Sequence, residues 1–266
     1  MSVVLQISDT HFGTERPEVV EALLDLAGQL KPDLIVLSGD LTQRARASEF
    51  AAFHAFLARL PSVPRLVVPG NHDIPLFDVL TRLIRPFKAY EACCGPLSAH
   101  SHSLPDLFIT GVNSVRPWRH KDGSLSSDLV EAVAERLRCA GRAAMRIVVV
   151  HHPLDVAEEG ALRDIVRGAE NAVQVWASAG ADLVMSGHVH LPLCRPLSAR
   201  YGASARQCWV AVAGTAVSAR TRRGHPNSVN VLRIDRLPGT VRRVLEQRDF
   251  DSSRREFRLG SSFELP

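Results

Sequence analysis

No stretch of these 266 residues is apolar for long enough to cross a bilayer. Runs such as Leu34 to Leu37 and Ile147 to Val150 stop far short of the ~20 residues that a membrane-spanning helix needs. The N-terminus has no basic segment, no extended apolar stretch and no small-residue cleavage site; Met1 to Leu5 enters a strand-like run directly. The expected location is therefore cytoplasmic. Cysteine is scarce and unpatterned: Cys93, Cys94, Cys139, Cys194 and Cys208 are odd in number and match no zinc spacing. Reduced thiols without a special role are the expectation, and thiol chemistry has no support. Lysine is almost missing, with only Lys31, Lys88 and Lys121, so nearly all positive charge is arginine. No internal repeat, low-complexity tract or linker divides the chain, which is read as a single domain over 1–266.

What is present is an ordinary folding composition, 45% hydrophobic and 23% charged. The net charge of +4 is spread unevenly. Residues 1–194 carry 18 basic and 22 acidic side chains, whereas residues 195–266 carry 14 and 6. A basic C-terminal section can face an anionic substrate, nucleic acid or a lipid surface. General arginine richness is the simpler reading, and nucleic acid is not the expected partner.

The first 190 residues alternate strand-like runs with helical spacing, as a layered α/β fold does. Strands are predicted at Val3 to Ile7, Leu34 to Leu37, Leu66 to Val68, Leu107 to Val112, Arg146 to Val150 and Asp182 to Met185. Val19, Val20, Leu23, Leu26, Ala27 and Leu30 recur at helical spacing behind Pro17. Phe50, Phe53, Leu57 and Leu60 mark a second helix that Pro61 ends, and Val130, Val133, Ala134 and Leu137 a third. A fourth is predicted within 161–178. Beyond His190, Gln207 to Val212, Ser228 to Ile234 and Thr240 to Leu245 read as consecutive strands. They predict a second, more antiparallel sheet packed on the first. Segments 74–105 and 114–126 read as irregular insertions on a substrate-facing rim.

Five separated segments place metal-type ligands directly after strand-like runs. They are Asp9-Thr10-His11, Gly39-Asp40, Gly70-Asn71-His72-Asp73, His151-His152-Pro153 and Gly187-His188-Val189-His190. The carboxyl ends of strands in an open α/β sheet share one edge, so distant segments can converge there. Carboxylates, an amide oxygen and imidazoles, with no thiolate, suit first-row metals such as Mn, Fe or Zn. Each segment alone is a common turn. All five in order, each at a strand end, make a pattern that chance rarely produces.

This signature resembles that of the calcineurin-like metallophosphoesterase superfamily across residues 9–190. Its flanks, Gln6-Ile7-Ser8-Asp9-Thr10-His11-Phe12, Ser38-Gly39-Asp40-Leu41-Thr42 and Pro69-Gly70-Asn71-His72-Asp73, narrow the likeness to bacterial class III cyclic-nucleotide phosphodiesterases and related glycerophosphodiesterases. The resemblance implies an α/β fold, a four-layer αββα sandwich of two mixed sheets flanked by helices. It implies two divalent or trivalent metal ions. One would be held by Asp9, His11, Asp40 and His190, the other by Asp40, Asn71, His151 and His188. Asp40 would bridge, since a carboxylate can offer one oxygen to each cation. His152 would stand beside the second ion without binding it. His72 takes the catalytic position, where it would stabilise charge on the phosphate and give a proton to the departing oxygen. Relatives often carry an Asp where this chain has Gln43; either Asp73 or backbone groups orient His72, or its imidazole is held less tightly.

The implied reaction is hydrolysis of a phosphodiester, of cyclic-nucleotide or glycerophosphodiester type, by in-line attack of a metal-bridging hydroxide. Asn113, Arg116, Trp118, Arg119 and His120 are candidates to contact the leaving group, and Arg220 and Arg222 the phosphate. Phosphomonoesters, nucleotide-sugar or lipid pyrophosphates and nucleic-acid strands are alternative substrates for the same metals. The retromer scaffold subunit uses this fold for protein binding, but that class lacks some ligands or the catalytic His. Here every position is filled. The expected partner is a small-molecule phosphate ester; relatives are often dimers or larger, which leaves the oligomeric state open with a homodimer among the alternatives.

Overall fold

The computed structural model describes residues 1–97, 101–141, 145–205 and 207–266. In chain order its first half holds β1 (Ser2–Ile7), α1 (Pro17–Leu30), β2 (Leu34–Leu37), α2 (Ala47–Arg59), β3 (Arg65–Val67), α3 (Val79–Ile84), α4 (Lys88–Cys94), β4 (Ser101–Leu104), β5 (Leu107–Val112) and α5 (Ser127–Cys139). There follow β6 (Met145–Val150), α6 (Ala169–Ser178), β7 (Leu183–Ser186), β8 (Leu193–Pro196), α7 (Ser198–Tyr201), β9 (Trp209–Val212), β10 (Ser228–Leu237), β11 (Thr240–Asp251) and β12 (Glu256–Leu265).

Strand alternation builds the layers, because successive side chains point to opposite faces. Val3, Leu5 and Ile7 of β1 and Ile35 and Leu37 of β2 pack on the apolar stripes of α1 and α2. Val4, Leu34 and Val36 point the other way, onto Leu107 and Ile109 of β5, Ile147 and Val149 of β6 and Leu183 and Met185 of β7. The far face of this second sheet, with Val148, Val150, Val184 and Val210, is covered by α5 and α6. Strands buried on both faces read as unbroken apolar runs, which is why β2 is Leu-Ile-Val-Leu. The result is two six-stranded mixed sheets between helices, the architecture the resemblance implied. Among the described residues no helix is long and apolar enough to cross a membrane.

The sheets run β12-β11-β10-β1-β2-β3 and β4-β5-β6-β7-β9-β8. This corrects the expectation that the C-terminal strands form a sheet of their own. β9 joins the second sheet parallel to β7, while β10 lies antiparallel on β1 and carries β11 and β12 outward. Periodicity marks a segment as a strand; which edge it joins depends on the edges left open by distant strands. Segment 74–105 also departs from the irregular reading. It contains α3, α4 and β4, with positions 98–100 outside the described residues. Val79, Leu80, Leu83 and Ile84 of α3 are exposed, so no buried face marks its helical period. Arg82 fastens it to the second insertion, donating to the carbonyls of Pro75, Pro117 and Arg119 at 2.6–2.7 Å.

Candidate metal centre

The loops after β1, β2, β3, β6 and β7 meet at one edge shared by both sheets. They are pinned to one another: Asp9 N donates to Gly39 O, His11 N to Asp40 O and Gly187 N to His151 O, each at 3.0 Å. Beneath them the buried Gln6 amide links the sheets, donating to Ser38 Oγ and to the Ser186 carbonyl, both at 3.0 Å. Asp9, His11, Asp40, His188 and His190 all have left-handed backbones, with φ between +42° and +74°. Asp and His visit that region more readily than most residues. Each still costs about 1–2 kcal/mol, and five together rival the ~5–15 kcal/mol net stability of a domain. The inter-loop hydrogen bonds and packing hold this conformation, which turns the side chains inward. Gly70 and Gly187 permit the approach, since a Cβ at either would collide with the carboxylate of Asp40 or Asp9.

Asp9, His11, Asp40 and His190 form one group of potential metal donors. His11 Nε2 lies 3.0 Å from His190 Nε2 and 3.7 Å from Asp40 Oδ2, and His190 Nε2 lies 3.3 Å from Asp9 Oδ1. Donors on bonds of ~2.0–2.2 Å to one ion stand about 3–3.5 Å apart, so this set fits a cation. Asp40 turns its other oxygen the opposite way, with Oδ1 3.3 Å from His151 Nε2. Near it, Asn71 Oδ1, His151 Nε2 and His188 Nδ1 are buried without a hydrogen-bond partner. An orphaned buried polar atom costs about 1–3 kcal/mol; three at one place fit a second cation that accepts their lone pairs. His152 adjoins this group, but both its ring nitrogens are engaged. Nε2 donates to the Lys121 carbonyl at 2.9 Å, and Nδ1 accepts from Ser114 Oγ at 2.7 Å.

Protonation follows from burial and charge. Burial disfavours ionised Asp9 and Asp40, yet the surrounding imidazoles hold both below the usual carboxylate range. Burial lowers His151 too, but the charge of Asp40 outweighs it and holds that imidazole at about 9. His190 is raised in the same way by Asp9. Burial wins at His11, brought to about 3, and at His188, well below its ordinary value. Nδ1 of His151 donates to Ser38 O at 2.8 Å and Nδ1 of His190 to Arg220 O at 2.6 Å, so each directs Nε2 at the ligand position. At pH 7 the metal-free protein therefore holds protons that metal binding must displace. Metal uptake is expected to release protons and to tighten as pH rises toward 9; calorimetry in buffers of different ionisation enthalpy measures both, and pH-independent affinity would sink the assignment. The sign for stability is opposite. The folded value of about 9 lies above the ordinary 6.5. The His151–Asp40 attraction thus stabilises the metal-free fold below about 6.5 and fades as pH climbs through about 9.

His72 is oriented by backbone, one of the three possibilities left by Gln43. Its Nδ1 donates to the Gln43 carbonyl at 2.7 Å, which leaves Nε2 facing the pocket. Asp73 is engaged elsewhere: it accepts from Leu41 N, Thr42 N and Gly70 N at 2.8–3.1 Å and so ties the Asp40 loop to the Asn71 loop. The Gln43 side chain holds a different group. Its Oε1 accepts Arg220 Nη1 at 3.0 Å, and that nitrogen lies 3.2 Å from His72 Nε2 and 3.3 Å from His11 Nδ1. The predicted Arg220 thus reaches the centre of the site.

A cavity of about 430 Å³ opens above these groups, lined by Asp40, Asn71, His72, His188, His190 and Arg220 together with Lys121, Arg163, Asp164 and Arg222. Of the leaving-group candidates, His120 lines a small adjoining cavity with Gln43, Asn71 and His72. The others turn away. Asn113 Oδ1 accepts from Val115 N, Arg116 donates to the carbonyls of Asn113 and Val115, Arg119 pairs with Asp122, and Trp118 is exposed. Lys121, Arg163 and Asp164 escaped sequence reasoning, since no motif or period marks loop residues that meet only in the fold.

A two-sheet sandwich with carboxylate and imidazole donors gathered at its joint edge has the build of a metal-dependent phosphoesterase. The chain belongs to the calcineurin-like phosphoesterase family, whose family model matches residues 2–192. Its fold is similar to that of a dimetal phosphatase from Danio rerio, 14% identical with a TM-score of 0.69, covering 100% of this chain and 99% of that one. Among curated relatives it is 26% identical over 167 residues to a protein of a Synechococcus strain named a probable cyclic nucleotide phosphodiesterase, covering 61% of this chain. It is 32% identical over 100 residues to a protein of Arcobacter nitrofigilis named a probable glycerophosphodiester phosphodiesterase, covering 34% of this chain. The chain spans 59% and 34% of the lengths of these two relatives.

Proposed function

We propose that this protein hydrolyses phosphodiesters, of cyclic-nucleotide or glycerophosphodiester type, with metal ions held by Asp9, His11, Asp40 and His190 and by Asp40, Asn71, His151 and His188. The observation that carries the reading is Asp40, whose two oxygens face two donor groups, one of them holding three unpartnered buried atoms. Bound there, two cations supply Lewis-acid charge to phosphate oxygens and a water activated at neutral pH. The chain supplies the rest. Arg220, held by Gln43, adds a fixed positive charge where the phosphate's own charge must be met. His72, held at Nδ1, presents Nε2 to the pocket beside Arg220, placed to pass a proton to the departing oxygen. The preference for diesters rests on the two curated relatives. A homodimer and a cytoplasmic location belong to the same proposal, and size-exclusion chromatography reads the former.

The test is turnover of a chromogenic phosphodiester beside the matching monoester by protein stripped of metal and reconstituted with Mn²⁺. Metal-dependent turnover favouring the diester is the expected result. Monoester preference would keep the metal site and discard the substrate class. Failure with both, at full metal loading, would leave the scaffold reading.

A further inference from the structure

Three segments remote in sequence deliver cations to the cavity that the metal donors do not use. Lys121 comes from the loop before α5, Arg163 from the Glu159–Asp164 turn and Arg222 from the loop between β9 and β10. Lys121 and Arg222 share one carboxylate. Asp164 Oδ1 lies 3.7 Å from Lys121 Nζ, and its Oδ2 lies 4.0 Å from Arg222 Nη1. Two of them are anchored to the ligand loops. Arg222 Nη1 donates at 3.2 Å to the carbonyl of Val189, which stands between His188 and His190. The Lys121 carbonyl accepts from His152, the neighbour of His151.

Like charges lining one cavity repel, and the one carboxylate that Lys121 and Arg222 share cannot offset three cations. The reacting phosphate does not need them, since the metal donors and Arg220 already surround its position. A cavity of about 430 Å³ leaves room beyond that phosphate for further substrate. We infer that the cavity takes a phosphoester whose organic part bears a second anionic group, such as another phosphate, held by Lys121, Arg163 and Arg222. This rests on the hydrolase reading and narrows it: diesters with a neutral alcohol are poorer substrates, and those with a cationic head such as choline are poorer still.

The experiment compares Mn²⁺-reconstituted protein on thymidine 5′-(4-nitrophenyl phosphate), on the same ester bearing a 3′-phosphate, and on 4-nitrophenyl phosphorylcholine. The 3′-phosphate is expected to raise kcat/KM by about tenfold or more, mainly through KM, as charge-assisted contacts would. Added salt should shrink that advantage, and the choline ester should rank last. In the variant carrying Lys121→Met, Arg163→Gln and Arg222→Gln, the ratio between the two thymidine esters should fall to about one, whatever the rate on either. A second readout needs no turnover. Calorimetry on the metal-free protein should rank thymidine 3′,5′-bisphosphate above thymidine 5′-monophosphate. Equal kcat/KM and equal binding overturn the inference and leave the hydrolase reading standing. A preference that survives in the variant overturns the assignment to these residues. No hydrolysis of any ester, with the bisphosphate still bound more tightly and only by the wild type, supports the anion site while the diesterase reading fails.

Discussion

Asp40→Asn is expected to leave the protein with less than half its metal and to lower turnover by about three powers of ten or more, because the activated water goes with the metals. The substitution keeps the shape and removes the charge. In the native chain Oδ2 lies 3.7 Å from His11 and Oδ1 3.3 Å from His151, while Oδ1 also accepts the His72 backbone N–H at 2.8 Å. An amide can offer oxygen to one of these groups only, and it turns an NH₂ toward the other. Without the Asp40 charge, only Asp9 and the Ser38 carbonyl still oppose burial at His151, so the value of about 9 must fall. Metal analysis of purified protein, beside turnover, checks this. Full metal content in the variant would refute a bridging Asp40.

His72→Ala should do something different: metal content stays, and kcat drops by about 10²–10⁴-fold. The backbone N–H that holds Asp40 survives the substitution, and the ring contributes no donor to either metal group. What disappears is Nε2 at the pocket. The deficit should depend on the leaving group. A nitrophenolate departs without needing a proton, whereas an alkoxide needs one, so the loss should be largest with alkyl diesters. An equal loss across leaving groups would assign the ring to charge and position, with no proton passed. Arg220 beside it sharpens the reading, because the guanidinium proposed to meet the phosphate is still present in the variant.

Much of this site was legible before folding was considered, for a physical reason. A parallel strand buried on both faces is mostly apolar, so the metal-type residues just beyond it stand out and also lie at the edge where ligands gather. Asp9 after Ile7, Asp40 after Leu37, His151 after Val150 and His188 after Ser186 all follow that rule. The helices with one buried stripe were equally legible. α3 was not, because its apolar side chains are exposed and its hold on the molecule runs through Arg82 to the carbonyls of Pro75, Pro117 and Arg119.

The amino-acid sequence by itself determined the layered α/β class and the strands that carry the candidate donors. Local burial sets each of these. Only the tertiary structure decided that β10 and β11 extend the first sheet while β9 joins the second, since that choice depends on which strand edges remain open. It also decided that the Gln43 backbone orients His72 while its side chain holds Arg220, and that Lys121, Arg163 and Arg222 share one cavity. Those contacts join residues 29 to 177 positions apart. No period or motif encodes them, because each exists only when separate loops arrive at the same edge.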